Sequence, residues 1–349
     1  MPTQATLPAA SAAPPRTAPA SDLHARALRD LGRSGRWRPA ELVFWLAALA
    51  SFFLLPEQHL LLTEVVILGL FALSLDLILG YAGIVSLGHG AFFGLGAYVA
   101  GLASIHLTGE PLTGLVLGGL AAGALGLATA PLLLLRASDL TRLMVTLGIA
   151  MLLYEAANKA AWLTGGADGL QGVWIDPLFG RFEFDLYGTT AYGYALGVTF
   201  LLFLVARRIV TSPYGLSLRA IRDNPLRTAT IGVPVGKRLV AVYALSALYA
   251  GIAGALLAQT TMFVSLDVLA FHRSADVLLV LVLGGVGYLY GGLIGAIVFK
   301  LLQDIISSIT PEYWMFWIGL ILVAIVLIGR ERIQDAPRAL WARVRGGAK

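Results

Sequence analysis

The sequence contains no cysteine, which excludes disulfides, thiolate nucleophiles and sulfur-ligated metals. Charge is scarce as well: Asp, Glu, Lys and Arg make up 13% of the 349 residues, against ~25% in an average soluble domain. Too few ionic side chains are present to cover a water-soluble fold. The five histidines, at positions 24, 59, 89, 106 and 272, have no metal-ligand spacing. No Gly-x-Ser-x-Gly elbow occurs, and no set of residues assembles the nucleophile, metal or acid–base roles of a membrane enzyme. The stretch GVPVGKR, residues 232–238, is only a near-miss of a phosphate loop. Three residues rather than four separate its glycines, and Arg stands where Ser or Thr would hold magnesium. The energy source for any work is therefore a partner protein or an ion gradient.

What is present is apolar: 58% hydrophobic residues and a mean hydropathy of +0.81. A spanning helix needs about 20 apolar residues. Ten segments are candidates, at 41–55, 60–79, 89–107, 112–135, 142–163, 188–206, 239–260, 274–283, 291–308 and 313–328. The expected fold is an all-α, polytopic transmembrane bundle. Lys and Arg fix its orientation. Six lie before Pro39, two flank the turn after the fourth segment, seven fall in 207–238 and six in 330–349, which is 21 of the 25. Ten passes put all four regions on one side, with both termini cytoplasmic. Residues 1–38, rich in Ala and Pro and without an apolar core, read as a disordered basic tail and not a signal peptide. Residues 331–349 read as a second basic tail. Cytoplasmic loops account for the net charge of +5, so no nucleic-acid partner is needed.

Two glycine-rich stretches interrupt the apolar pattern, GYAGIVSLGHG at 80–90 and LGGVGYLYGG at 283–292. Gly90 with Gly94, Gly287 with Gly291, and Gly291 with Gly295 form small-xxx-small pairs that allow close helix approach. Close packing does not account for segment 274–283, which at 1.5 Å per residue covers only about 15 Å. A turn near mid-membrane at 284–287 is therefore expected. Non-helical backbone at that depth must be buried in protein or line a wet cavity. Two such breaks suggest a solute pathway between two halves, with Tyr81, Ser86, His89, Gly90, Gly284, Gly285 and Gly287 as candidates for lining it. Asp76 and His89 flank the first break, and either a structural or a functional role suits them. Glu155 with Lys159 and Lys300 with Asp304 read as neutralising pairs four apart. Arg273 and Asp276 read as interfacial anchors or as part of an outer mouth.

The connection 212–238 carries helix signals. Ser212 is a cap and Pro213 a first-turn residue. Leu216, Leu218 and Ile221 are spaced for docking, Asn224-Pro225 stops the helix, and a second short turn ends at Gly232. A capped amphipathic helix outside the bilayer suits a docking protein.

The motifs GYAGIVSLGHGAFFGLGAYVAG, TGGADGL, SPYGLSLRAIRDNPLRTATIGV and LVLGGVGYLYGGLIGA, in that order over residues 60–328, resemble the branched-chain amino-acid ABC importer permeases of the LivM type. The resemblance implies a permease domain at 39–330 with a coupling loop at 211–236 seated on an ATPase subunit. Tyr214, Arg219, Arg222, Asn224, Pro225, Arg227 and Gly232 are its implied coupling residues. It also implies a second homologous permease, two ABC ATPases holding ATP and magnesium, and a soluble solute-binding protein, in a bacterial inner membrane. No cofactor is expected on this chain. Related sequences often carry Glu in the turn after Arg227, where this chain has Thr228-Ala229-Thr230. The solute stays open between branched-chain amino acids and urea, short amides or aromatic carboxylates. A stand-alone gradient-driven transporter or channel is the alternative reading.

Overall fold

The computed structural model describes residues 37, 39–134, 139–185 and 187–328, with backbone alone for 134, 139, 322 and 324–328. Both basic tails therefore lie outside the described residues, apart from Trp37. The helices are α1 (Pro39–Leu54), α2 (His59–Leu79), α3 (His89–His106), α4 (Pro111–Leu134), α5 (Asp139–Lys159), α6 (Ala161–Thr164), α7 (Thr189–Val210), α8 (Pro213–Asp223), α9 (Pro225–Thr230), α10 (Val235–Thr261), α11 (Phe271–Gly284), α12 (Leu289–Ile309) and α13 (Trp314–Ile328). Among the described residues there is no β-strand, only the bridges Leu170–Val264 and Leu178–Phe182.

Among the described residues, six helical segments are long and apolar enough to cross a membrane: Pro56–Leu79, Pro111–Leu133, Leu140–Lys159, Thr189–Val210, Val235–Thr261 and Leu289–Ile309. The other four expected segments fall on α1, α3, α11 and α13, which are shorter or less apolar. In α3, Gly and Ala replace the large aliphatics, because that helix is wrapped by protein. It packs against α10 and α4, and α10 also lies along α4 and α2. In α2 every residue from Leu70 to Ile78 is buried. A helix that is apolar all round is a central helix, and α2 occupies that place. In lipid the association of such helices rests on close packing rather than on withdrawal from water. The α11–α12 crossing shows this, since Gly284 lies directly on the Gly291 backbone and Gly295 on the Val280 carbonyl.

Between α2 and α3 the chain folds back into the bundle. The first residue of α3, His89, lies against Ser74, five residues before the end of α2, or about 8 Å along it. Gly80 and Tyr81 still donate to Asp76 O; residues 82–88 then rise into the interior outside any helix, and Tyr81, Ala82, Ile84 and Ser86 are buried. Amides in this segment and in the first turn of α3 find other partners, as buried backbone requires. Ile84 N donates to Ile78 O at 2.9 Å, Leu87 N to Thr146 Oγ1 at 3.2 Å, and Gly90 N to Ser274 Oγ at 2.8 Å.

The second turn departs from the sequence expectation of a mid-membrane bend. α11 has 14 residues, about 21 Å of helix, and the turn after it sits at the bundle end beside Gly80. The missing length is at the other end of α11. There residues 262–270, with a 3-10 turn at Leu266–Leu269, bury Val264, Leu266, Val268 and Leu269.

Candidate functional site

The connection between α7 and α10 is a hairpin of two short helices, each started by a side-chain cap. Ser212 Oγ accepts from Tyr214 N at 3.2 Å, and Asn224 Oδ1 accepts from Arg227 N at 2.9 Å. Thr228 is buried, and its hydroxyl lies 2.8 Å from the carbonyls of both Ala220 and Asn224, which fastens α9 to α8. The Tyr214 hydroxyl donates to Arg238 O at 2.9 Å, tying α8 to the start of α10. Leu218 and Ile221, read from sequence as docking residues, instead face the bundle and are buried. The outward apolar side chains are Leu216, Leu226 and Ile231, with Leu226 81% exposed.

This hairpin reaches both glycine turns. Arg222 Nη1 donates to Gly80 O, the carbonyl at the C-terminal end of α2, where a cation also meets the negative end of the helix dipole. The Arg219 guanidinium lies 5.1 Å from the Tyr81 ring centre, within cation–π range. One step further in, Gly287 N donates to Asp76 Oδ1 at 2.7 Å. The backbone of Gly83, at φ +73°, lies against the Arg222 side chain, and a methyl there would sit 2.7 Å from Arg222 Cγ.

Of the sequence-derived pathway residues, Tyr81 and Gly287 meet at this seam, and Gly284 and Gly285 lead into it. Ser86, His89 and Gly90 lie deeper. Of the coupling residues, Arg219 and Arg222 touch the seam, while Tyr214, Asn224 and Pro225 shape the hairpin. Arg227 and Gly232 are exposed on it.

His89 is fully buried. Its Nε2 lies 2.8 Å from Ser74 Oγ, and that hydroxyl donates to Phe71 O at 2.6 Å, so the imidazole is the donor to Ser74. Ser246 Oγ donates to Ser74 O at 2.5 Å. The Phe71 ring stacks on the imidazole at 5.7 Å and 9° and packs on Phe93 at 4.5 Å.

On the far side of Phe71 and Phe93 is a cavity of about 340 Å³ between α2, α3, α10, α11 and α12. Its charged lining is Glu64, Arg273, Asp276 and Lys300. Lys300 Nζ donates to Glu64 Oε2 at 2.7 Å, across helices; its sequence-based partner, Asp304, is not the residue it bonds. Arg273 Nε and Nη2 donate to Asp267 Oδ2 at 3.0 and 2.5 Å. Glu155 and Lys159 do pair, at 3.6 Å, on an exposed face. None of the sequence-derived pathway residues lines this cavity. Sequence reasoning passed over Glu64, although a lone acid in an apolar run is itself the signal.

Residues 59–326 match the family described as branched-chain amino acid transport system / permease component. The chain is 28% identical over 306 residues, 81% of its length and 71% of the relative's, to the high-affinity branched-chain amino acid transport system permease protein LivM of Escherichia coli strain K12. It is 27% identical over 307 residues, with the same shares, to the protein of that description from Salmonella typhimurium strain LT2. No solved structure matches the chain.

Proposed function

Given that the chain belongs to the branched-chain amino acid transport permease family, we propose that it is one permease of an ABC importer moving branched-chain amino acids or a related small carboxylate solute. It works beside a second homologous permease, two ABC ATPases and a solute-binding protein. ATP and magnesium act in the ATPase subunits, and this chain binds no cofactor. The protein is a multi-pass membrane subunit. In our reading it sits in a bacterial inner membrane with both termini cytoplasmic and residues 39–330 forming the permease domain. The observation that carries this is the hairpin Pro213–Thr230. Both of its helices are capped, it offers apolar side chains outward, and inward its Arg222 holds the first glycine turn, to which the Asp76–Gly287 bond ties the second.

A push on the hairpin by closing ATPases would pass directly to the ends of α2 and α11 and to the inserted segment 80–88. The test is solute-stimulated ATPase activity of the assembled complex in lipid. Leu216→Asp with Leu226→Asp should uncouple stimulation or prevent assembly, because both leucines face outward and their loss leaves the bundle's own packing alone. Unchanged assembly and stimulation would remove the docking assignment. Gradient-driven uptake by the purified chain alone would favour a stand-alone transporter.

A further inference from the structure

The charged cavity has a division of labour that a pathway lined only by glycine would lack. Its polar side brings both signs together: Arg273 and Lys300 as cations, Glu64 and Asp276 as anions. The cations each have an acidic partner, Lys300 in Glu64 and Arg273 in Asp267. Asp276 makes no hydrogen bond and no ion pair within 4 Å among the described residues, and it is the carboxylate left to accept from something in the cavity. Much of the remaining lining is apolar and aromatic, with Phe71, Phe93 and Phe299. The volume, about 340 Å³, falls at the small end of ligand pockets. Beyond Phe71 lies the His89–Ser74–Ser246 cluster at the top of the inserted segment.

We propose that this cavity is a holding site for a zwitterionic amino acid with an apolar side chain, entered before the Phe71–Phe93 pair parts. Asp276 receives the α-ammonium. Lys300 turns from the exposed carboxylate of Glu64 to the α-carboxylate, and the aliphatic side chain lies on the phenylalanine wall. Pairing each charge inside the cavity is what makes its desolvation tolerable. A simple carboxylate leaves Asp276 unpaired, and a neutral amide satisfies neither charge. The two phenylalanines then form the plug, and the stack of Phe71 on His89 links its movement to the start of α3 and to segment 80–88.

This site rests on the permease reading but is separable from it. The chain has no cysteine of its own, so Gln303→Cys, which lines the cavity, gives it a single thiol within the reconstituted complex. Its rate of modification by a methanethiosulfonate reagent is followed on this chain, with Ser265→Cys as a second reporter. Leucine at about ten times its Kd should slow modification about tenfold. 4-Methylpentanoate, the same skeleton without the amine, should not slow it, and adding Asp276→Asn should abolish protection by leucine. Absence of protection at both reporters, or equal protection by the two compounds, overturns the site. ATP-driven leucine uptake by the unlabelled complex is measured alongside. Uptake without protection removes the site and leaves the permease reading. Protection without uptake does the reverse.

Discussion

The Gly287 amide hydrogen-bonds to the Asp76 carboxylate at 2.7 Å, although 211 residues separate them. That bond joins the turn after α2 to the turn after α11 and holds both under the hairpin. Replacing Asp76 by Ala leaves the Gly287 amide without its acceptor, at a cost of about 1–3 kcal/mol. Asp76→Asn keeps an acceptor oxygen and should cost less. Thermal unfolding of the complex in nanodiscs orders the variants; equal midpoints for Ala and wild type would show the bond to be idle.

Arg222 and Gly83 form the hairpin's inner grip. Gly83→Ala meets two obstacles at once, a positive φ of 73° and the Arg222 side chain. It should lower solute-stimulated ATPase activity while the ATPase subunits stay bound. Arg222→Gln, which keeps a donor but loses the charge, should fall between wild type and Arg222→Ala. A Gly83→Ala complex with full stimulation would disconnect segment 80–88 from the stroke.

The two threonines that follow Arg227 should behave oppositely towards Glu. Thr228 is buried against two carbonyls, so a carboxylate there faces acceptors with no donor and should loosen the hairpin by about 1–3 kcal/mol. Thr230 is exposed, and its hydroxyl donates to Arg227 O at 2.8 Å. Thr230→Glu should be tolerated, and proteolysis within 212–232 distinguishes the two.

At the start of α7, Asp185 Oδ1 accepts from Thr190 N at 3.1 Å. Slight burial pushes its pKa up, yet hydrogen bonds from Thr190 and Thr189 outweigh this and hold it below the usual 3.8. Its stabilising effect is therefore complete above that value and lost as pH falls through the lower folded one. Asp185→Ala should unfold earlier than wild type at neutral pH. The gap should begin to shrink near 3.8 and close below it; a gap independent of pH would rule out the carboxylate cap.

Much of the helical layout is legible in apolar run length, and the hairpin is legible from Ser212-Pro213 and Asn224-Pro225, whose caps act locally. The face each residue presents is not local. Leu216 and Leu218 look alike in sequence, but only the packing of α8 on α7 and α10 sends one outward and the other in. The cavity was illegible for the same reason. Glu64, Asp276 and Lys300 come from three helices far apart in the chain, and an i, i+4 rule gave Lys300 to Asp304. The depth of the second turn was misjudged because residues 262–270, which take up the length that α11 lacks, carry no helical period: from Val264 to Val268 apolar and polar side chains alternate.

The grip of the hairpin on the bundle ends on a peptide oxygen, that of Gly80. A main-chain acceptor has no proton to gain or lose in the working pH range, and no substitution at position 80 deletes it. The joint through which force would enter is thus indifferent to acidity and shielded from most mutational drift. Its weak points are steric, wherever a new methyl group would hold arginine and backbone apart.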